Sequence, residues 1–593
     1  MQIIKKIFNL LSSYERKRFF LLLFLILIMA FLEMIGVASI LPFVTVLTNP
    51  SVIETNFVLN NIYNASSSLG IENHQQFLFA LGILVFSLLI LSLTFKALTN
   101  YAQIRFVEML QYNLSKRLLE RYLSQSFSWF LNRNSADFSK NILVETGIVV
   151  GNGVSTLLDL IAKSTVSLAL LVLLILANPK IAFIVGFCLS SSYVLIYWAT
   201  KTYVSRLGKE RFKKNQQVFK SINEAFGAIK EIKMGGLEKI YIKMFSNPAQ
   251  TIAKNIASSS IVQQLPRFIL EAIAFGGIMI LILFQMKQTG SFNNALPFIS
   301  LYAFAGYRLM PALQLIYGTF SKFDFIIPSV NNLYKELTGL KVKDMYKNQF
   351  EVPFRKKIEL KNIYFNYPKS SRTVLKNINI SIAANSTIGL IGATGSGKTT
   401  TVDIILGLLE PQKGSLEIDG NVITNHNSGS WQKYIGYVPQ FIYLSDNSIL
   451  SNIAFGVDPN EIDEVAVVRA AKIANLHEFI VDELPDKYQT IVGERGIRLS
   501  GGQRQRIGIA RALYHSPRVL ILDEATNSLD NYTEQAVMEA VNKLSKKITI
   551  ILIAHRLSTV KKCDMIYLFD KGIIKDKGTF EELIKSKSSE NSI

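Results

Sequence analysis

Six long apolar stretches constrain this chain more than any other feature. They run about Phe19–Leu47, Phe77–Leu93, Leu157–Ala177, Ile181–Tyr197, Phe268–Phe284 and Ala295–Tyr317. Each is about 17–25 residues or longer, enough at 1.5 Å per residue to cross the hydrocarbon of a bilayer. Buried helices of soluble domains are shorter and do not come in such a series, so membrane spans are expected. The first stretch is too long for a cleaved leader and lacks a small-residue cleavage site.

The rest of the chain is unlike a membrane protein. With 593 residues it is too long for one core. It is 49% hydrophobic, yet Lys and Arg exceed Asp and Glu by 20. The hydrophobic content excludes disorder, and two cysteines, Cys188 and Cys563, exclude a disulfide scaffold. The charge does not require nucleic acid. The loop 48–76 has no Lys or Arg, whereas Lys5, Lys6, Arg16–Arg18, Arg117, Arg121 and residues 201–214 form basic flanks. The positive-inside rule then places both termini in the cytoplasm. The long polar inner connections, about 96–154 and 200–267, are helix-patterned and should extend the spans beyond the membrane. Two irregular spots, 128–135 and 234–237, read as reversals with a docking role.

Past Pro328 a polar helix and linker (328–349) lead to short β-branched runs that alternate with helical ones. Residues 350–593 therefore read as an α/β domain with a parallel central sheet, after a membrane domain at 1–327. The run Thr387–Ile391 ends in Gly392-Ala393-Thr394-Gly395-Ser396-Gly397-Lys398-Thr399, the pattern G-x-x-x-x-G-K-[ST] between a strand and a helix. Its glycines let backbone N–H groups converge on phosphate, Lys398 supplies charge and the Thr399 hydroxyl is a Mg²⁺ ligand. A second apolar strand ends in Asp523-Glu524, where Asp523 would hold Mg²⁺ and Glu524 would act on the attacking water. His555 follows the next strand, where a γ-phosphate would lie. Between them, Leu499-Ser500-Gly501-Gly502-Gln503 precedes a helix and offers a second anion site.

These segments resemble the ATP-binding-cassette (ABC) exporters. Leu499–Gln503 is similar to that family's signature, and comes with Tyr367, Gln440 in the run Tyr-Val-Pro-Gln, residues 527–530 and His555 in matching order. The resemblance implies a type I exporter fold: six transmembrane helices joined to an α/β P-loop cassette. It implies ATP and Mg²⁺ as cofactors. Tyr367 would stack on adenine, Thr400 and Asp530 would join the nucleotide site, and Gln440 would serve both the Mg²⁺ and the catalytic group. Glu494-Arg495-Gly496 looks like the loop that senses the membrane domain. The layout is that of a half-transporter, implying a homodimer in which Ser500–Gln503 of one copy close on ATP held by Lys398 of the other. Asn527 departs from the usual Ser, with little effect expected on hydrolysis.

The span-one text 33–50 and residues 266–271 resemble a narrower branch, which includes the bacterial lipid-linked oligosaccharide flippases of protein glycosylation. That implies a multi-pass protein of the bacterial inner membrane and a short outer helix after span one, for which 52–63 has the amphipathic character. Lys96, Arg105, Arg267 and Arg308 are cations in or near the spans and are candidates to meet an anionic headgroup. The competing reading is structural: Arg267 and Glu271 stand at i,i+4 and can pair. Exporters of another lipid, a drug-like amphiphile or a peptide fit the same motifs. A non-transporting channel or regulatory subunit fits less well, because Glu524 is intact.

Overall fold

The computed structural model describes residues 2–50, 52–66, 73–177, 179–289, 296–340, 352–368, 370, 372–524, 531–544, 546–554 and 559–590. The chain divides into two compact units. One holds residues 1–125 and 134–343; the other holds 126–133 together with 344–593.

The first unit is helical. Among the described residues three stretches are long and apolar enough to cross a membrane: Ser13–Gly36, His74–Leu123 and Ser135–Leu168. The later apolar segments fall on the helices Pro179–Gly227, Glu238–Thr289 and Leu296–Gly339. The helices of 50, 49 and 52 residues at 74–123, 179–227 and 238–289 run far past the length a bilayer needs.

Several details depart from the sequence expectation. The first apolar stretch is two helices, Ser13–Ala38 and Ile40–Thr48, broken at Ser39. Pro42 lacks the N–H that would bond to the Ala38 carbonyl. The third segment carries two π-helical turns, Asn141–Glu145 and Val150–Ser155. An N-terminal helix, Gln2–Leu10, buries Ile7 and Leu10. After span one, the helices Val52–Thr55 and Phe57–Ser66 bury Ile53 and Leu59 with Val46, Phe77 and Leu81.

Two helices meet without intervening side chains. A Cβ on Gly208 would stand 2.2 Å from the Phe325 carbonyl oxygen, so no larger residue allows this approach. One turn away, Arg211 and Glu145 are both buried, at 3% and 0% exposure. Arg211 Nη2 lies 3.3 Å from Glu145 Oε2 and donates to Ser329 Oγ at 2.7 Å, while Asn215 Nδ2 donates to Glu145 Oε1 at 3.1 Å. The network joins three helical segments.

Among the described residues the second unit contains two sheets. The strands are β1 (Lys357–Phe365), β2 (Leu375–Ala383), β3 (Thr387–Gly392), β4 (Lys413–Ile418), β5 (Asn421–Ile423), β6 (Ile435–Val438), β7 (Val519–Asp523), β8 (Thr549–Ile553), β9 (Met565–Asp570) and β10 (Ile573–Gly578). The larger sheet has the order β10-β9-β3-β8-β7-β6. Its pairs are parallel except β9–β10. β7 and β8 are buried at every position, as strands covered on both faces must be. β1 and β2 lie instead in a separate antiparallel sheet, β2-β1-β4-β5. Their alternating burial, not a continuous apolar run, is the trace of that difference.

Candidate nucleotide-binding site

The site grows from the C-terminal ends of β3, β7 and β8, where parallel sheets place ligands. β3 leads through Gly392–Gly397 into the helix Lys398–Ile405. Gly392, Gly395 and Gly397 have φ of 148°, 76° and 106°. A Cβ on Gly392 would lie 2.3 Å from the Phe569 carbonyl oxygen. Gly392→Ala should therefore displace the loop and sharply weaken nucleotide binding, read by fluorescent-ATP titration; unchanged affinity would show that the loop tolerates the methyl group.

Lys398 is 5% exposed. Its Nζ donates to the Gly392 and Ala393 carbonyls at 2.8 and 3.0 Å. Burial lowers its pKa, while the carboxylates of Glu524 and Asp523 oppose that shift. Ser396 Oγ is buried and has no hydrogen-bond partner among the described residues, the state expected of a group that awaits a phosphate oxygen. The Tyr367 hydroxyl is 3.0 Å from Thr400 Oγ1, which sets the ring beside the loop's helix.

Asp523 closes β7 and is 3% exposed. Glu524 follows with φ 51°, a left-handed conformation that is unusual outside glycine and is found at strained functional positions. Gln440 Nε2 donates to Glu524 Oε2 at 2.9 Å, so residues 84 apart in sequence meet. Thr399, Gln440 and Asp523 offer hard oxygen donors with one carboxylate among them. That set suits Mg²⁺, which keeps waters and shares its shell with substrate phosphates.

Two further residues act on Asp523 without a role assigned to them by the motifs. Tyr437, two residues before Pro439-Gln440, hydrogen-bonds Asp523; burial, then Asp523 and Asp403, raise its pKa. Asp403, in the helix after the P-loop, is pushed up to about 6 by burial first and then by the Asp523 charge. Their sequence signals are that Tyr437 opens the run Tyr-Val-Pro-Gln and that Asp403 lies in the helix after the P-loop.

The signature segment is also ordered. Ser500 caps the helix Gly501–Tyr514: Gln503 N donates to Ser500 Oγ at 3.2 Å and Ser500 N to Gln503 Oε1 at 2.8 Å. Gly501 and Gly502 form its first turn. Glu494–Gly496 is a short 3₁₀ turn with Arg495 at φ 53°. Arg511, on the signature helix, donates from Nη1 to the Tyr443 carbonyl and from Nε to that of Asn452, both at 2.8 Å, and so ties the segment after Gln440 to this helix. Burial lowers its pKa to about 10. Asp530 and His555, with Asn527, lie outside the described residues.

The candidate cargo cations are less free than the sequence implied. Lys96 Nζ lies 2.6 Å from Glu33 Oε1, and Glu33 is 4% exposed. Arg267 pairs with Glu271 at 2.7 Å. Arg105 Nη1 reaches Tyr101 Oη at 3.3 Å. The side chain of Arg308 lies outside the described residues.

A helical membrane unit and an α/β unit with a P-loop, an acidic strand end and a capped signature helix define an ABC transporter of exporter type. Comparison with known proteins agrees. The family described as ABC transporter transmembrane region matches residues 18–306, and the ABC transporter family matches 375–527. The chain is 30% identical over 521 residues to the Heterocyst differentiation ATP-binding protein HepA of Nostoc sp., covering 84% of this chain and 82% of that one. It is 43% identical over 232 residues to Heavy metal tolerance factor 1 of Caenorhabditis elegans, 39% of this chain and 28% of that one. Over several such curated relatives the chain spans less than a third of their length. A bacterial Atm1-family ABC exporter with ATP bound has the same fold, with TM-score 0.77, 23% identity and 97% of each chain covered. The chain belongs to the ABC transporter family and carries both its membrane region and its ATP-binding domain.

Proposed function

We propose that this protein is an ATP-driven exporter that works as a homodimer and moves an amphiphile, in its finer form a lipid-linked oligosaccharide, to the outer leaflet of a bacterial inner membrane. Residues 1–327 form the membrane domain, 328–349 the linker and 350–593 the cassette, with both termini cytoplasmic. Lys398 and the loop Gly392–Gly397 hold the phosphates of ATP, Tyr367 its adenine, and Asp523, Thr399 and Gln440 its Mg²⁺, which neutralises charge on the phosphates. Glu524, oriented by Gln440, accepts a proton from the attacking water, with His555 near the γ-phosphate. A second copy supplies its own Ser500–Gln503 to each nucleotide, with Asp530 nearby.

The observation that carries the cargo reading is the pair of outer helices, Val52–Thr55 and Phe57–Ser66, anchored on Phe77 and Leu81 after span one. A short outer helix at this place is what the oligosaccharide-flippase branch has. The internal pairing of Lys96 and Arg267 favours a second reading, an amphiphile without a strongly anionic headgroup, and the name of Multidrug resistance protein 1 of Entamoeba histolytica, a relative, accords with it. Reconstitution into liposomes with a fluorescent lipid-linked oligosaccharide separates the two. ATP-dependent exchange between leaflets is expected. Exchange absent while a neutral fluorescent amphiphile is moved would replace the first reading by the second.

A further inference from the structure

The start of the first membrane helix combines three exposed features. Phe20, Leu21, Phe24, Leu27 and Phe31 are 57%, 61%, 60%, 52% and 57% exposed and together form one outward apolar stripe, about a third of the helix circumference wide at about 100° per residue. From Phe20 to Phe31 the stripe is about 16 Å long at 1.5 Å per residue, about one leaflet of hydrocarbon. At its end stand the exposed Lys17, in line with this face, and the exposed Arg18, on its flank beyond Leu21. The Arg18 guanidinium lies over the ring of Tyr14, 4.4 Å from its centroid, and Tyr14 is itself 60% exposed.

The local acid does not neutralise these cations. Glu15 is the one acidic residue in the segment 2–32. It is 5% exposed and turned inward, where its carboxylate pairs with Arg117 at 3.4 Å and accepts from Asn113 Nδ2 at 3.1 Å and Ser12 N at 2.7 Å. Neither Lys17 nor Arg18 is ion-paired among the described residues. Two unmatched cations beside an aromatic ring, at the end of a leaflet-long apolar stripe, match an anionic phospholipid whose chains lie along the stripe. Topology alone requires the charges to be near the membrane, but not that the sole acid turn away from them.

We propose that Tyr14, Lys17 and Arg18 form a binding site for the headgroup of an anionic phospholipid in the leaflet where this helix begins. The site uses none of the residues assigned above to cargo or to nucleotide.

The test is native mass spectrometry of the delipidated full chain titrated with phosphatidylglycerol or phosphatidylcholine. The wild-type protein should bind its first phosphatidylglycerol in preference to phosphatidylcholine, and that preference should fall as ammonium acetate is raised. Lys17→Gln and Arg18→Gln should each lower the preference about fivefold, the factor that corresponds to about 1 kcal/mol per basic side chain at an anionic surface. Lys17→Arg should retain it. An unchanged preference in the double Gln variant overturns the proposal, as does a wild-type preference insensitive to salt. Loss of the dimer in the double variant with lipid selectivity intact would assign this face to a second copy instead. The salt series needs no variant, so a substitution that disturbs insertion does not remove the test.

Discussion

Glu524→Gln should leave ATP bound but nearly abolish its turnover. The carboxylate would be replaced by an amide of the same shape that can still accept from Gln440, now 2.9 Å from Glu524 Oε2. What disappears is the capacity to take a proton, and general-base catalysis contributes about 10²–10⁴-fold. Phosphate release should fall by that order, while nucleotide stays trapped on the protein and is recovered as ATP. Hydrolysis within tenfold of the parent protein would remove Glu524 from the role of base. Gln440→Ala should have a smaller effect, because it loosens the carboxylate without removing it.

The largest effect on stability is expected at Glu145→Ala. That change leaves the Arg211 guanidinium in the helical unit at 3% exposure, without the carboxylate 3.3 Å away. Removal of one partner from a buried ion pair costs about 3–5 kcal/mol, because the remaining charge is neither solvated nor matched. Ser329 and the ring of Phe325, 5.5 Å from the Arg211 carbon, cannot replace it. Thermal denaturation in detergent should show a large drop for Glu145→Ala. The double change Glu145→Gln with Arg211→Met should recover much of it, since no buried charge then remains. An unchanged melting temperature for the single variant would mean that water reaches Arg211.

These two predictions differ in how far the sequence foretold them. Glu524 was legible because its chemistry is local: an apolar strand, then two acids, downstream of a P-loop whose residues are contiguous. The membrane character was legible because hydropathy is a property of segments. Glu145 and Arg211 were not, since nothing near either residue specifies a partner 66 positions away, and a lone Glu or Arg on a polar helix is usually solvated. The inward turn of Glu15 is of the same kind. The break at Ser39 could have been found from Pro42 alone, had the long apolar run not masked it. β1 and β2 were read as strands, but a sheet's membership is a matter of pairing, and only their alternation hinted at the antiparallel layer.

The uninterrupted helices at 74–123 and 179–227 have a mechanical consequence. At 50 and 49 residues each is about 75 Å long, of which about 30 Å suffices for the hydrocarbon. The arm beyond the hydrocarbon is thus about one and a half times the arm within it. Pivoting where it leaves the bilayer, such a rod is geared down: a 1 Å step at its far tip reaches the opposite membrane face as about two-thirds of an ångström, and the force is multiplied in the inverse ratio. Displacements that these helices carried into the membrane about such a pivot would be short and strong, suited to prising packed spans apart more than to sweeping them over long distances.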